Sequence, residues 1–207
     1  NNKNGRTIIN MNHAQVLENV LPPKAVLKKW ALTVVEEDIP SFDIGAAIVA
    51  SDEKQTATLY CKSANVVLAG RPFVNALMEI FNCEIEWMSS ASEGEWLNRN
   101  TGSGAVRLAI ATVKGTSHDL LQVERLALNV LTRCSSIATE SRSMKEFVRE
   151  RGYNNEIAAT RKTTPLFRLV EKYGVIVGGC SPHRYDVSQM CMLKDNHIDL
   201  FKKKLNT

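Results

Sequence analysis

The stretch LLQVERLALNVLTRCSSIAT, Leu120 to Thr139, constrains the fold more than any other part of the chain. Leu120, Val123, Ala127, Leu131, Cys134 and Ala138 recur at steps of three, four and seven, which lays one apolar stripe along a long helix. Arg125, Asn129 and Arg133 step by four and form a polar ridge beside it. A stripe of that length must be buried against other layers, so the rest of the chain has to supply them. Glu124 falls within the stripe, between Leu128 and Leu131. It is expected to be pinned by a cation or backbone amide, or to orient Arg125 at a subunit interface.

The region before this helix reads as α+β. Pro22-Pro23 opens a helix carrying Val26, Leu27, Trp30, Ala31 and Val34, which ends near Glu36-Glu37-Asp38. Ile44 to Val49 and Thr56 to Lys62 read as strands, and Val66 to Leu68 as a short third. Pro72 starts a second helix. Cys83, Ile85 and Trp87 alternate with Glu84 and Glu86, a half-buried strand, and Val106, Leu108 and Ile110 alternate again. Asn98 to Gly104 is a turn by composition. The expected architecture is helices packed on a sheet with one wet face.

After Ala138 the pattern changes. Helix continues over Met144 to Arg151, and Gly152 stops it. Ile157 to Ala159 reads as a buried strand, Pro165 to Tyr173 as a short helix, and Met190 to Leu193 as another buried strand. Strands alternating with helices predict parallel β/α units. Both strands run into cations: Arg161-Lys162 after the first, Lys194 after the second. At the C-terminal ends of neighbouring parallel strands these cations share one rim. The loop between them adds His183-Arg184, just past Gly178-Gly179, where backbone can approach a ligand closely. Clustered cations repel one another unless an anion sits among them. Arg offers a planar fork for carboxylate or phosphate and Lys a point charge, so the ligand class is a small polyanion. Thr163 and Thr164 add donors. The competing reading is a structural network in which these cations pair with Glu171, Asp186 and Asp195. His197, after Asp195-Asn196, reads as a turn-stabilising residue, with a catalytic role as the alternative.

Composition narrows the function further. A net charge of +4, with no Lys/Arg run interleaved with aromatics, speaks against nucleic acid as a partner. No apolar run approaches the ~18 residues of a membrane helix, and NNKNGRTIIN lacks the apolar centre of a signal peptide. The five cysteines show no CxxC spacing, which argues against zinc and for reduced thiols in a cytoplasmic protein. Residues 1–12, before and around Met11, read as a disordered extension. An N-terminal α+β domain is expected over 13–130, including most of the long helix, and the first part of a β/α domain over 131–207.

The ordered set TRKTTP, FRLVEKY, VGG, HRYD and LKDNH, with EEDIPSFD, LAGRPF and ERLALNVLTRCSSIAT upstream, resembles the quinolinate phosphoribosyltransferase family in its eukaryotic style. The resemblance covers roughly residues 16–198. It implies an α+β N-terminal sandwich domain followed by the start of a β/α barrel, incomplete in this chain. It also implies a reaction in which quinolinate and phosphoribosyl pyrophosphate give nicotinate mononucleotide, carbon dioxide and pyrophosphate, with magnesium required. Arg161, His183, Arg184 and Lys194 resemble the pocket for the quinolinate carboxylates, with Lys162 beside it on the phosphoribosyl side. Arg125 resembles the arginine that reaches into a neighbouring subunit's site, which implies self-association as a dimer or higher oligomer. No residue is assigned a bond-making role, and none is assigned to the metal.

The chain departs from the family in two places. Leu166 stands where the family has glycine after TRKTTP, a costly exchange if the position needs a positive φ. After His197 the pattern is expected to end in an unrelated tail, DLFKKKLNT, without the later acids and glycine-rich phosphate loop of the family. The chain therefore reads as C-terminally truncated. Met190 to Leu193 would then be an open strand edge, an aggregation liability. The alternative to an enzyme is a non-catalytic family member that binds quinolinate weakly or associates with a full-length subunit. An unrelated anion-binding module is the third possibility.

Overall fold

The computed structural model of the chain describes residues 20–49, 51–97 and 107–205. The extension expected over 1–12 and the turn expected over 98–104 lie outside the described residues. Helix α1 (Lys24–Asp38) starts after Pro23, as the proline pair predicts, and buries Leu27 and Ala31. Helix α2 (Ile44–Val49) occupies the segment where the sequence predicts a strand. Asp43 decides it. Its Oδ1 accepts from the Ala46 amide at 3.0 Å and its carbonyl from Ala47 at 2.9 Å, a capped start that outweighs the β-branched Ile48 and Val49.

Strand β1 (Lys54–Cys61), ribbon strand β2 (Val66–Val67), helix α3 (Arg71–Ile80), strand β3 (Glu84–Trp87), ribbon strand β4 (Trp96–Leu97) and strand β5 (Leu108–Thr116) come next in the chain. The three longer strands form an antiparallel sheet in the order β1-β5-β3, and β2 pairs with β4. Register runs from Lys54 opposite Thr116 to Cys61 opposite Leu108, with an irregularity between Leu59 and Tyr60. In β3, Ile85 and Trp87 turn toward the core while Glu84 and Glu86 stay exposed, as the alternation predicts.

Helix α4 (Ser117–Arg149) is the spine, 33 residues in one unbroken run. Thr116 caps it by accepting from the Asp119 amide at 3.1 Å. It passes without interruption through the change of pattern at Ala138, and Gly152, at φ +83°, lies just beyond its end. Val123, Ala127, Leu131, Cys134 and Ala138 are buried, as the stripe predicts. Glu124 is exposed rather than held in the stripe. The buried line is centred on Val123, Leu126, Ala127 and Val130, which leaves Glu124 and Leu128 at its margin.

Helix α5 (Arg168–Val177) begins later and ends later than Pro165 to Tyr173. It lies against α4 at very close range. A Cβ on Gly174 would meet the Cys134 carbonyl oxygen at 2.8 Å, and one on Gly178 the Ala138 carbonyl oxygen at 2.5 Å. Tyr173 stands edge-on to Phe73, ring centroids 5.3 Å apart, and Phe73 edge-on to Trp30 at 4.9 Å. These rings join α1, α3 and α5 in one core.

The two strands expected after the spine are not formed as such. Ile157 to Ala159 makes one parallel bridge, Ala158 with Ser181, through Ser181 N–H to the Ile157 carbonyl at 2.8 Å and Ala159 N–H to the Ser181 carbonyl at 2.9 Å. Met190 to Leu193 is exposed and irregular, because no described strand lies beside it to complete a ladder. The expected tail is instead helix α6 (Asp195–Leu205), exposed along its length. Gly174→Ala will lower stability by about 1–3 kcal/mol, because a methyl there must displace the spine's backbone. Urea unfolding followed by circular dichroism checks it, and unchanged stability would show that α5 does not depend on this contact.

Candidate active site

The parallel bridge between Ala158 and Ser181 sends two segments in the same direction, so the residues after each enter the same space. Arg161 and Lys162 come after the first, and His183 and Arg184 after the second. Together with Lys194 they line one cleft of about 450 Å³. The structure thus brings five of the six sequence-predicted site residues into one place. Lys194 arrives there from irregular chain, not from a strand end.

Arg125 is elsewhere. It is exposed and lines a separate cleft with residues 38–45 and Leu121. His197 does not line the cationic cleft. Its Nδ1 accepts from the Lys194 amide at 3.1 Å, so it stabilises the start of α6.

Two of the three acids that could have neutralised the cleft are engaged otherwise. Asp186 Oδ1 accepts from the Ser188 amide at 2.8 Å. Glu171, 7% exposed, pairs with Arg133 of α4 at 2.8 Å and accepts from both the Thr164 hydroxyl at 2.8 Å and the Thr164 amide at 3.2 Å. Burial works against its charge, but the hydrogen bonds from Arg133 and Thr164 prevail and hold its carboxyl below the ordinary carboxylate range. Among the described residues, Arg161, Lys162, Arg184 and Lys194 form no ion pair. Arg184 is only 9% exposed, and its Nη1 donates to the Met190 carbonyl at 3.0 Å. A nearly buried guanidinium held by one neutral carbonyl retains donors for an anion.

Helix α5 frames both loops. Arg168, Glu171 and Lys172 stand three and four residues apart and share one face. Arg168 Nε donates to Thr163 Oγ1 at 2.9 Å and its Nη1 to the Tyr185 carbonyl at 3.3 Å. Lys172 Nζ donates to the Pro182 carbonyl. The hydroxyls of Thr163 and Thr164 are therefore spent inside the frame. The framing roles of Arg168 and Lys172 escape a sequence reading, although the i, i+3, i+4 spacing of three charges marks the face. Thr164 to Phe167 is a tight turn, with Phe167 N–H donating to the Thr164 carbonyl at 3.2 Å. Pro165 holds its second position, and Leu166 its third at φ +63°, the pattern of a type II turn, which favours glycine there.

Among the described residues no group of three or more His, Cys, Asp or Glu is placed to hold a metal ion. Cys83, Cys134, Cys180 and Cys191 are free thiols. Among the described residues no helix is long and apolar enough to cross a membrane.

Comparison with known proteins points the same way. The model of the quinolinate phosphoribosyl transferase N-terminal domain matches residues 43–135, and that of the C-terminal domain matches 137–206. The second match runs through α6, past His197, where the sequence pattern was expected to end. The chain is 42% identical over 182 residues to the nicotinate-nucleotide pyrophosphorylase (carboxylating) of Rattus norvegicus, covering 88% of this chain and 57% of that protein. It is 41% identical over 189 residues to that of Homo sapiens, covering 89% and 58%. The solved structure of NadC from Streptococcus pyogenes superposes with a TM-score of 0.74 at 30% identity, over 88% of this chain and 61% of that one. The chain therefore spans less than two thirds of the length of the curated relatives named here.

Two substitutions probe this geometry. Glu171→Gln will cost about 1–3 kcal/mol near neutral pH, with the Coulombic part screened because Arg133 is half exposed. Because the carboxyl is depressed on folding, its contribution is full above the ordinary carboxylate pKa and vanishes as pH falls through the lower folded value. Unfolding free energies of the two proteins should converge in acid, and a gap that stays constant with pH would exclude the charge as its source. Leu166→Gly will raise stability by about 1 kcal/mol, since glycine alone tolerates this turn position without strain. Leu166 is 85% exposed, so little packing is lost, and a fall in melting temperature would refute the turn assignment.

Proposed function

The chain belongs to the quinolinate phosphoribosyl transferase family, and on that premise we propose that it acts in phosphoribosyl transfer to quinolinate with decarboxylation, giving nicotinate mononucleotide, carbon dioxide and pyrophosphate. One observation carries the reading: a cleft lined by two arginines, two lysines and a histidine, with no carboxylate paired to the four basic side chains among the described residues. Quinolinate brings two carboxylates, and phosphoribosyl pyrophosphate a phosphate and a pyrophosphate.

The residues bind and orient. Arg161, Arg184 and Lys194, with His183, receive the two carboxylates, and Lys162 lies on the side of the sugar phosphates. Two carboxylates held at two points leave the pyridine ring one orientation, with its nitrogen toward the anomeric carbon. The nitrogen attacks that carbon as pyrophosphate leaves. The quaternised ring then accepts the electron pair freed when the adjacent carboxylate departs as carbon dioxide, and a proton from solvent replaces it. Magnesium belongs to the reading as a requirement of the family reaction, and no step above is routed through it.

The reading includes self-association, with Arg125 of one chain reaching toward the cleft of another. Its exposure on the α4 ridge supports this. A cytoplasmic location is supported by the free thiols of Cys83, Cys134, Cys180 and Cys191.

The test is release of labelled carbon dioxide from carboxyl-labelled quinolinate by the purified chain with phosphoribosyl pyrophosphate and magnesium. Release is the expected result, and a folded protein that neither releases carbon dioxide nor binds quinolinate refutes the reading. Arg161→Ala will weaken quinolinate binding by about 30-fold or more, the ~2 kcal/mol or greater expected of a charge-assisted pair. Unchanged affinity by calorimetry would remove Arg161 from the pocket.

A further inference from the structure

We propose that Lys172 is a positioning residue for the cationic cleft, holding from its seat on α5 the backbone turn that presents His183 and Arg184. The inference rests on the proposed function in taking that cleft as the quinolinate site.

Lys172 is 3% exposed. Among the described residues no carboxylate pairs with it, and its ammonium donates to the carbonyl of Pro182, the residue before His183. Its charged neighbour on α5, Arg168, repels it. Burying an ammonium against a neutral carbonyl beside another cation is expensive, and an apolar side chain of similar length would fill the same space at less cost. What an apolar side chain cannot do is hold the Pro182 carbonyl.

That carbonyl matters because it belongs to the peptide that enters His183. His183 has φ +56°, a left-handed conformation that a non-glycine residue keeps only where its surroundings enforce it. On the C-terminal side the loop is tied by Arg168 to the Tyr185 carbonyl at 3.3 Å and by the Tyr185 amide to Gln189 Oε1 at 2.8 Å. On the N-terminal side the ties are the Ser181 bridge, the His183 amide donating to Ser181 Oγ at 3.4 Å, and the Lys172 contact to the carbonyl of the same peptide. Lys172 thus fixes the last peptide before the imidazole, and the same frame delivers the buried Arg184 next to it. Lys145 donates in the same way to the Gly179 carbonyl, but that carbonyl lies just past the end of α5, and neither residue lines the cleft.

The chain has four histidines, so their ring signals can be resolved by carbon-proton spectroscopy and that of His183 assigned with His183→Gln. In folded Lys172→Met the His183 ring signal should shift, while the His118 and His197 signals stay as in the parent protein. Quinolinate affinity should fall about tenfold or more. Lys145→Met, which removes the same kind of bond outside the cleft, should leave His183 and the affinity unchanged. If Lys172→Met does not fold, Lys172→Gln gives the same readout with a smaller change. An unmoved His183 signal in whichever variant folds overturns the proposal, as does an equal change in Lys145→Met. If the parent protein does not bind quinolinate, the reading of the cleft fails, and the His183 signal still decides the role of Lys172.

Discussion

The close approach of α5 to α4 is the constraint on which the site depends. Gly174 and Gly178 are four residues apart, so they lie on one face of α5, and both meet backbone carbonyls of the spine. A side chain at either place would push the helix outward. With α5 seated, Tyr173 reaches Phe73 in the N-terminal core, and Glu171 reaches Arg133 on the polar ridge of the spine. The charged face of α5 is then aimed between the two loops. Were α5 displaced by an ångström, the hydrogen bonds to Thr163, Thr164, Pro182 and Tyr185 would all lengthen together. The glycines therefore act on chemistry they never touch.

Around the cleft the charges divide into those spent on structure and those left free. Arg133, Arg168 and Lys172 satisfy a carboxylate, a hydroxyl and two carbonyls. Glu171 is consumed by the same framework. Among the described residues the cations of the loops gain no carboxylate, and like charges gathered in one cleft favour the entry of an anion. Neutralising them internally would have been easy with one acid on a loop. Asp186, the acid on one of those loops, accepts from the Ser188 and Gln189 amides instead, which supports reading the cleft as an anion site.

Most of this was legible in the sequence, for reasons that can be stated residue by residue. The spine and the alternating strands β1, β3 and β5 carry periodic signals many residues long. The cleft residues were legible because five motifs occur in a fixed order. The failures are local. At Ile44 to Val49 a single side-chain cap on Asp43 outweighed apparent strand propensity. The segment that pairs with Ile157 to Ala159 is the neighbourhood of Ser181, not Met190 to Leu193, and one bridge leaves no period to detect. Glu124 lies at the margin of the buried stripe, where it is exposed. The frame built by Arg168 and Lys172 depends on carbonyls, which a sequence does not show.

Backbone strain is concentrated where the cleft is made. Five described non-glycine residues have positive φ, and two of them are asparagines, which tolerate that conformation. The other three are Leu166, His183 and Met190, all in the loops that carry or support the cations. Met190 in turn gives its carbonyl to Arg184. Each such residue costs on the order of 1–2 kcal/mol, and none of the three is held by a sheet. Ties from α5 and from Arg184 offset that cost, which makes these loops stable only as long as the frame is intact. The same ties that shape the cleft therefore set its local stability, and a loss in either should be felt in both.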